Sequence, residues 1–272
     1  MKKIAVYTNV RKDKDLSVTE RVTSYLEKRC GVVTFTDLES FEEMCTDADA
    51  LIVLGGDGTL LRAARKTCSK KLPVLGINLG KVGYLAEVDV DGIEESLDKL
   101  LHGNFAVEER FMIKAQVVRE GVTVSEHIAL NDLVISSGSF KKLVSTKLYV
   151  NGDFVGAYDA DGVVIATPTG STAYSLSAGG PITDSAMELM IVTPICPHAL
   201  STRPLVVPAD KQITAVVGEN RERTSILIAD GQTGEKLGVG DKVIIEACDC
   251  KTRLIRLNGM SFYETLRKKI SN

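Results

Sequence analysis

Over the first hundred residues, short solid runs of apolar side chains alternate with stretches in which apolar positions recur at helical spacing. The runs at 3–9, 32–35, 50–54 and 73–78 predict strands. Between them, Ser17 and Glu20 stand as a capping box before Val18, Val22, Tyr25 and Leu26, and residues 41–45, 60–68 and 93–101 also have helical patterns. Strands spaced by helices predict a parallel sheet covered on both faces. The apolar run 50–54 is uninterrupted, as suits a strand buried on both sides.

After about Phe105 the period shifts to alternation. Strands are predicted at 112–118, 122–128, 132–136, 145–150, 163–167, 213–217, 225–229 and 242–247, with a hairpin turn at Asn151-Gly152. Residues 262–269 turn helical again. The expected fold is an N-terminal doubly wound α/β domain over 1–104, completed by about 256–272, with a C-terminal β-sandwich-like domain over 105–255. The C-terminal helix is expected to return to the first domain.

Strand 50–54 ends abruptly in Gly55-Gly56-Asp57-Gly58-Thr59. The glycines permit positive φ and close approach of backbone to a ligand, and the helix that follows offers free amides suited to phosphate. In open α/β sheets, ligands bind beyond the carboxyl ends of strands, which places Asp57 in the expected cleft. Asp57 also reads as a helix cap, but Thr59 can cap the helix on its own and three glycines are more than a cap needs. The phosphate-loop candidates are Gly55, Gly56, Gly58 and Thr59. Neither the Walker pattern nor the Rossmann glycine fingerprint occurs.

The segment from Thr167 to Pro181 holds seven hydroxyl side chains and three glycines in fifteen residues. Hydroxyls can simply build turns. Turn-building does not explain Tyr174, whose ring offers a stacking face for a base. Asn131-Asp132 interrupts an apolar stretch, and such groups either cap a turn or bind polar ligand atoms. Asp161, just before Gly162, is similar. Among the histidines only His198 lies in a polar, proline-bounded segment, and Asp230-Gly231-Gln232 reads first as a β-turn, with a ligand role as the alternative.

Composition narrows the classes. A net charge of −3 and a pI near 5.8 supply no general attraction to nucleic acid or an acidic membrane. No stretch approaches the roughly 20 apolar residues of a membrane span. The N-terminus reads as a strand rather than a signal peptide, which points to the cytoplasm. There the six cysteines are expected to be reduced. Cys248 and Cys250 fit either a metal site or alternate positions on a strand.

Taken in order, Gly55 to Thr59, Leu130-Asn131-Asp132, Asp161-Gly162 leading into Thr167 to Pro181, and Pro197 to Pro204 resemble the NAD kinase family. Diacylglycerol kinases, sphingosine kinases and phosphofructokinases share the glycine element, whereas the hydroxyl-rich segment is far more specific. The resemblance implies ATP-dependent phosphorylation of the adenosine 2′-hydroxyl of NAD, giving NADP. It also implies a homodimer or homotetramer and Mg²⁺, or another divalent cation, arriving with ATP and taking few protein ligands. Asp57 would be the general base. Gly58 and Arg62 would hold NAD phosphate, Asn131 and Asp132 would bind groups including ribose hydroxyls, and Asp161 would meet the nicotinamide end. Thr172, Ala173, Tyr174, Ser175, Leu176 and Ser177 would line the NAD site, with Cys196 and Gln232 at its wall. Many relatives carry a basic residue just before the position of Asp161, where this chain has Asp159-Ala160. Lys142 is the alternative source of charge for the 2′-phosphate. The rival readings are a lipid kinase of the diacylglycerol type, which needs an apolar groove, and a non-catalytic NAD(P)-binding protein.

Overall fold

The computed structural model describes residues 1–80, 83–137, 143–199, 201–219, 225–232 and 234–270. Two compact units appear, one made of residues 1–110 and 250–272, the other of 111–249.

The first unit is built on a seven-stranded mixed sheet. In spatial order its strands are Gly31–Phe35, Lys3–Thr8, Ala50–Gly55, Val74–Asn78, Thr252–Arg256 and Ala106–Arg110, with Val88–Asp89 also pairing to Val74–Asn78. All pairs are parallel except the last two strands of that order, which run antiparallel. One face carries Ile4, Val6, Ile52, Leu54, Leu75 and Ile77. It is covered by Val22 and Leu26 of helix Ser17–Leu26 and by Ile93, Leu97 and Leu100 of helix Ile93–Leu101. Gly76 points to the opposite face, where Leu60 of helix Asp57–Thr67 packs close enough that a Cβ at Gly76 would lie 3.2 Å from it. Both faces are therefore clad by helices, as expected.

Strand order reverses between Lys3–Thr8 and Ala50–Gly55, so their carboxyl ends form the switch point where ligands of such sheets bind. The two ends are tied together: the Asn9 amide donates to Leu54 O at 3.0 Å, and Asn9 Nδ2 donates to Thr59 Oγ1 at 2.8 Å.

Three local expectations are corrected. The capping box does not form; the Asp13 carboxylate accepts from the amides of Val18 and Thr19 and from Thr19 Oγ1, while Asp15 accepts from Ser17. A buried carboxylate four residues upstream of the helix thus replaces Ser17 and Glu20 at the orphan amides. The helix expected from residue 60 begins at Asp57, because Gly56 O already accepts from Leu60 N. Finally, Cys68 and Cys250 form a disulfide across 182 residues of sequence, while Cys30, Cys45, Cys196 and Cys248 are in no disulfide. No sequence spacing marks such a distant pair.

The second unit contains two six-stranded antiparallel sheets. One runs Asp153–Ala160, Val144–Val150, Ile213–Val217, Lys242–Ala247, Ile113–Arg119, Val122–Ala129. The other runs Leu205–Pro208, Leu189–Ile195, Gly162–Ala166, Asp132–Ser137, Ser225–Ala229, Glu235–Leu237. Ile113, Ala115, Val117, Leu148 and Ile245 from the first sheet share a core with Ile135, Val163, Ile165, Val192 and Leu227 from the second, the packing of a β-sandwich. The Asn151-Gly152 hairpin is present, with φ of 50° and 89° as a primed turn requires. Sequence patterning missed Asp153–Ala160 and Leu189–Ile195, the latter broken in pattern by Pro194. Among the described residues, no helix is long and apolar enough to cross a membrane.

Candidate active site

In the first unit the carboxylate of Asp57 is held by a loop. Its Oδ2 accepts from the Tyr84 amide at 2.6 Å, and its Oδ1 accepts from the amides of Leu85 and Ala86 at 3.2 and 3.3 Å. The approach is so close that a Cβ at Gly83 would collide with the carboxylate. That loop is itself anchored: Arg256 donates to Leu85 O and to Glu87, and Glu87 accepts from the amides of Leu257 and Asn258. A carboxylate has four lone-pair positions, so three amide bonds leave one, on Oδ2, for a ligand hydroxyl.

The glycines work differently from expectation. None of Gly55, Gly56 or Gly58 has a positive φ; Gly55 and Gly56 serve close approach instead. A Cβ at Gly55 would meet the Thr59 side chain at 2.5 Å, and one at Gly56 would collide with Lys12 Nζ. Gly58 faces open space and is exposed, and Arg62 follows one helical turn later on the same side. Nothing in the local sequence of Lys12 marks it as an ammonium that packs on a glycine forty-four residues away. Asn78 Oδ1, near the same point, is buried without a hydrogen-bond partner among the described residues.

In the second unit, Asn131 and Asp132 sit at a corner clamped by two other segments. Thr167 donates from its amide to Asn131 O at 2.8 Å and from its hydroxyl to Leu130 O at 2.5 Å. Gly170 packs on the Asn131 backbone so tightly that a Cβ there would overlap its carbonyl oxygen. From the other side, the Asp230 carboxylate accepts from the amides of Leu130, Asn131 and Asp132 at 3.1, 2.7 and 3.2 Å.

Much of the hydroxyl-rich segment builds structure. Ser171 Oγ donates to Pro168 O, Thr172 Oγ1 donates to Thr169 O, and the fully buried Ser175 pairs with Thr193 Oγ1 at 2.9 Å. Tyr174, Leu176 and Ser177 lie on the short helix Tyr174–Ser177, led by Ala173. Tyr174 is 45 % exposed, and its phenol is raised above its ordinary value by burial and then by the nearby Cys196, Asp161 and Asp132. These residues therefore share one neighbourhood. Cys196 is exposed at φ 46°, Asp161 is exposed at the strand mouth, and Gln232 closes its turn by donating to Ala229 O. Asp159 is exposed and its carbonyl accepts from the His198 amide. Lys142 lies outside the described residues.

Asp132 is 4 % exposed, and burial, followed by the Asp230 charge, pushes its carboxyl from 3.8 up to about 7. A carboxyl raised in the fold favours the protonated folded state. Its stabilising share is complete below the ordinary value of 3.8 and is lost as pH climbs to about 7. Asp132→Asn cannot ionise and is expected to be more stable than the parent at about pH 8, with the gap narrowing on acidification. The gain should reach a few kcal/mol, since each tenfold difference in proton affinity between the folded and unfolded chain is worth about 1.4 kcal/mol. Denaturant melts across that range check it; a gap that does not change with pH would contradict the raised carboxyl.

The comparisons with known proteins now bear on this site. Residues 3–105 match the model of the ATP-NAD kinase N-terminal domain, and residues 130–257 match that of the ATP-NAD kinase C-terminal domain. The chain belongs to the ATP-NAD kinase family. Curated NAD kinases agree along the whole length: that of Acetivibrio thermocellus is 41 % identical, covering 99 % of this chain and 97 % of its own, and that of Caldanaerobacter subterraneus is 40 % identical, covering 100 % and 99 %. An Archaeoglobus fulgidus NAD kinase solved with ATP superimposes with a TM-score of 0.80 at 27 % identity, covering 98 % of this chain and 99 % of that one. A yeast NADH kinase solved with NADH has the same fold, with a TM-score of 0.88 at 23 % identity, covering 100 % and 88 %. As an ATP-NAD kinase, the chain is an enzyme that phosphorylates NAD at the expense of ATP, and the lipid-kinase reading falls.

For this kinase, sequence reasoning marks Asp57, Asn131 and Asp132 but misses what holds them. The Tyr84–Ala86 amides carry no signal, since every backbone amide looks alike in sequence. Asp230 does carry one, an acidic residue at a turn, but by itself it reads as a turn former or a ligand contact and not as the holder of another segment.

Proposed function

We propose that Asp57 takes the proton of the adenosine 2′-hydroxyl of NAD while that oxygen bonds to the γ-phosphorus of ATP and the bond to the β-phosphate oxygen breaks, giving NADP and ADP. The observation that carries this reading is the Asp57 carboxylate itself. It stands at a glycine-lined strand end, fixed by three amides, with one lone-pair position left. A carboxylate is a weak base for an alcohol, but phosphoryl transfer rests mainly on positioning and charge, so a rigid acceptor suffices.

Gly58 and Arg62 receive NAD phosphate, and the first-turn amides of helix Asp57–Thr67 favour an anion there. Asn131 and Asp132 bind ribose hydroxyls and Asp161 the nicotinamide end. The exposed Tyr174 ring stacks on a base. Thr172, Ala173, Leu176, Ser177, Cys196 and Gln232 line the site, and Ser175 supports it from beneath through Thr193. Asp159-Ala160 stands where many relatives carry a basic residue, and Lys142 is the alternative source of charge for the 2′-phosphate.

Among the described residues no cluster of three or more His, Cys, Asp or Glu forms a metal cage. A divalent cation carried by ATP fits such a site, because Mg²⁺ keeps waters and phosphate oxygens as most of its ligands. The unpartnered Asn78 Oδ1 is a hard oxygen beside the glycine loop that suits a ligand water of the ion. When bound, the ion would neutralise charge developing on the donor phosphates.

We also infer a cytoplasmic homodimer or homotetramer. Val122 and Val124 are exposed on one edge strand of a six-stranded sheet and Phe154 and Val155 on the opposite edge strand, so both edges carry exposed apolar side chains of the kind that association covers. A mass in solution equal to one chain would remove that inference. The activity is tested by incubating the purified chain with NAD, ATP and Mg²⁺ and following NADP with a coupled reductase. Turnover with NAD is expected; binding without turnover over a range of donors would leave a non-catalytic NAD(P)-binding protein instead.

A further inference from the structure

Asp230 is an ordinary turn residue in type but not in its burial. It ends strand Ser225–Ala229 at φ 50°, is followed by Gly231 at φ 68°, and is only 8 % exposed. Asparagine or glycine would serve a left-handed turn without burying a charge. Here instead three consecutive amides, those of Leu130, Asn131 and Asp132, converge on its carboxylate, and its own amide returns a bond to Asp132 O at 2.9 Å. Successive amides of this kind make an anion cradle, and the protein fills it with its own side chain. The carboxylate also lies against a second buried acid, Asp132, a costly pairing that structural needs alone do not require.

We propose that Asp230 is a positioning residue of the dinucleotide site, fixing the direction of Asn131 and Asp132 and keeping Asp132 available as a hydrogen-bond donor to NAD. This rests on the reading that Asn131 and Asp132 bind the dinucleotide. The amide bonds decide where the corner points. The charge decides which proton state of Asp132 meets the ligand, because two adjoining carboxylates cannot both ionise cheaply. The titratable groups that face this corner among the described residues are Asp230, on the turn after Ser225–Ala229, and Tyr174, on its short helix. Tyr174 in turn feels Asp161 and Cys196.

The test is steady-state kinetics of the intact enzyme from about pH 5.5 to about pH 8.5, with thermal melts alongside. In the parent, KM for NAD is expected to rise as pH passes about 7, where Asp132 loses its proton, and KM for ATP is expected to stay level. In Asp230→Asn the rise in KM for NAD should move to lower pH. At neutral pH the increase should be roughly three- to tenfold, the factor matching loss of one hydrogen bond between uncharged groups. Asp132→Asn keeps a donor at every pH and should flatten the profile. Asp230→Asn with a lowered melting temperature but unshifted KM profile would make Asp230 merely structural and overturn the proposal. If Asp230→Asn fails to fold, the parent and Asp132→Asn decide: an inflection in the first that vanishes in the second supports the donor role, and identical profiles refute it. Separately, Asn131→Ala together with Asp132→Asn leaving KM for NAD unchanged at all pH values would show that the corner does not bind NAD, and both readings would fall.

Discussion

Asp57→Asn is expected to lower kcat by about 10²–10⁴-fold, the usual worth of a positioned general base, while KM for NAD and the fold stay close to the parent's. The amide keeps the size of the carboxylate, and its one oxygen can still accept from the loop amides. It loses the lone-pair position on Oδ2 that would receive the hydroxyl proton, and its NH₂ faces the Tyr84 N–H or the incoming hydroxyl. The unmatched donor pair costs about 1–3 kcal/mol, which a thermal melt will register. The measurement also separates the two meanings of this residue. The carboxylate caps no helix amide, Gly56 being the N-cap, so the alternative is a loop anchor: an anchor would show the stability loss alone, with kcat at the parent's level, whereas a base shows the loss of kcat far beyond it.

Gly170→Ala is the second large effect. A methyl there would overlap the carbonyl oxygen of Asn131 and crowd its Cα and carbonyl carbon, all of them backbone atoms that no rotamer change can move aside. The corner also bears the Thr167 bonds to Leu130 O and Asn131 O and the Asp230 bonds to three amides, so a shift is transmitted to all of them. Overpacking of this kind costs on the order of 1–3 kcal/mol in stability. We expect KM for NAD to rise by at least ~10-fold, since a displaced Asn131–Asp132 pair no longer meets its ligand. Gly179→Ala, at a glycine with φ 89° but open space around its Cβ, should cost stability by backbone strain and leave KM for NAD nearly unchanged. Equal KM values in the parent and Gly170→Ala would mean that the corner is not part of the binding site.

The fold was legible where side-chain periodicity is strong. The buried strand Ala50–Gly55, the amphipathic helices Ser17–Leu26 and Ile93–Leu101, and the Asn151-Gly152 hairpin all follow from local patterns. Legibility failed where a tertiary partner outweighed a local one. Asp13 displaced the Ser17 and Glu20 box because its carboxylate reaches two helix amides and the Thr19 hydroxyl at once. Leu189–Ile195 escaped notice because Pro194 lowers its strand character, although burial of the whole strand supplies the compensating energy.

The site divides in the same way. Glycines around Asp57, the Asn131-Asp132 break in an apolar run, and an aromatic ring among hydroxyls are chemical identities that sequence records directly, and they sufficed to name the candidate groups. Sequence did not show that Asp57 would be gripped by amides 27 to 29 residues away, that Lys12 would pack on Gly56, or that Asp230 would hold a corner about a hundred residues upstream. The reason is physical. Backbone amides are the same at every position, so nothing in the residue order says which of them will face a given carboxylate. Only closure of the sheets brings donor and acceptor within reach and turns a list of polar residues into fixed directions in space.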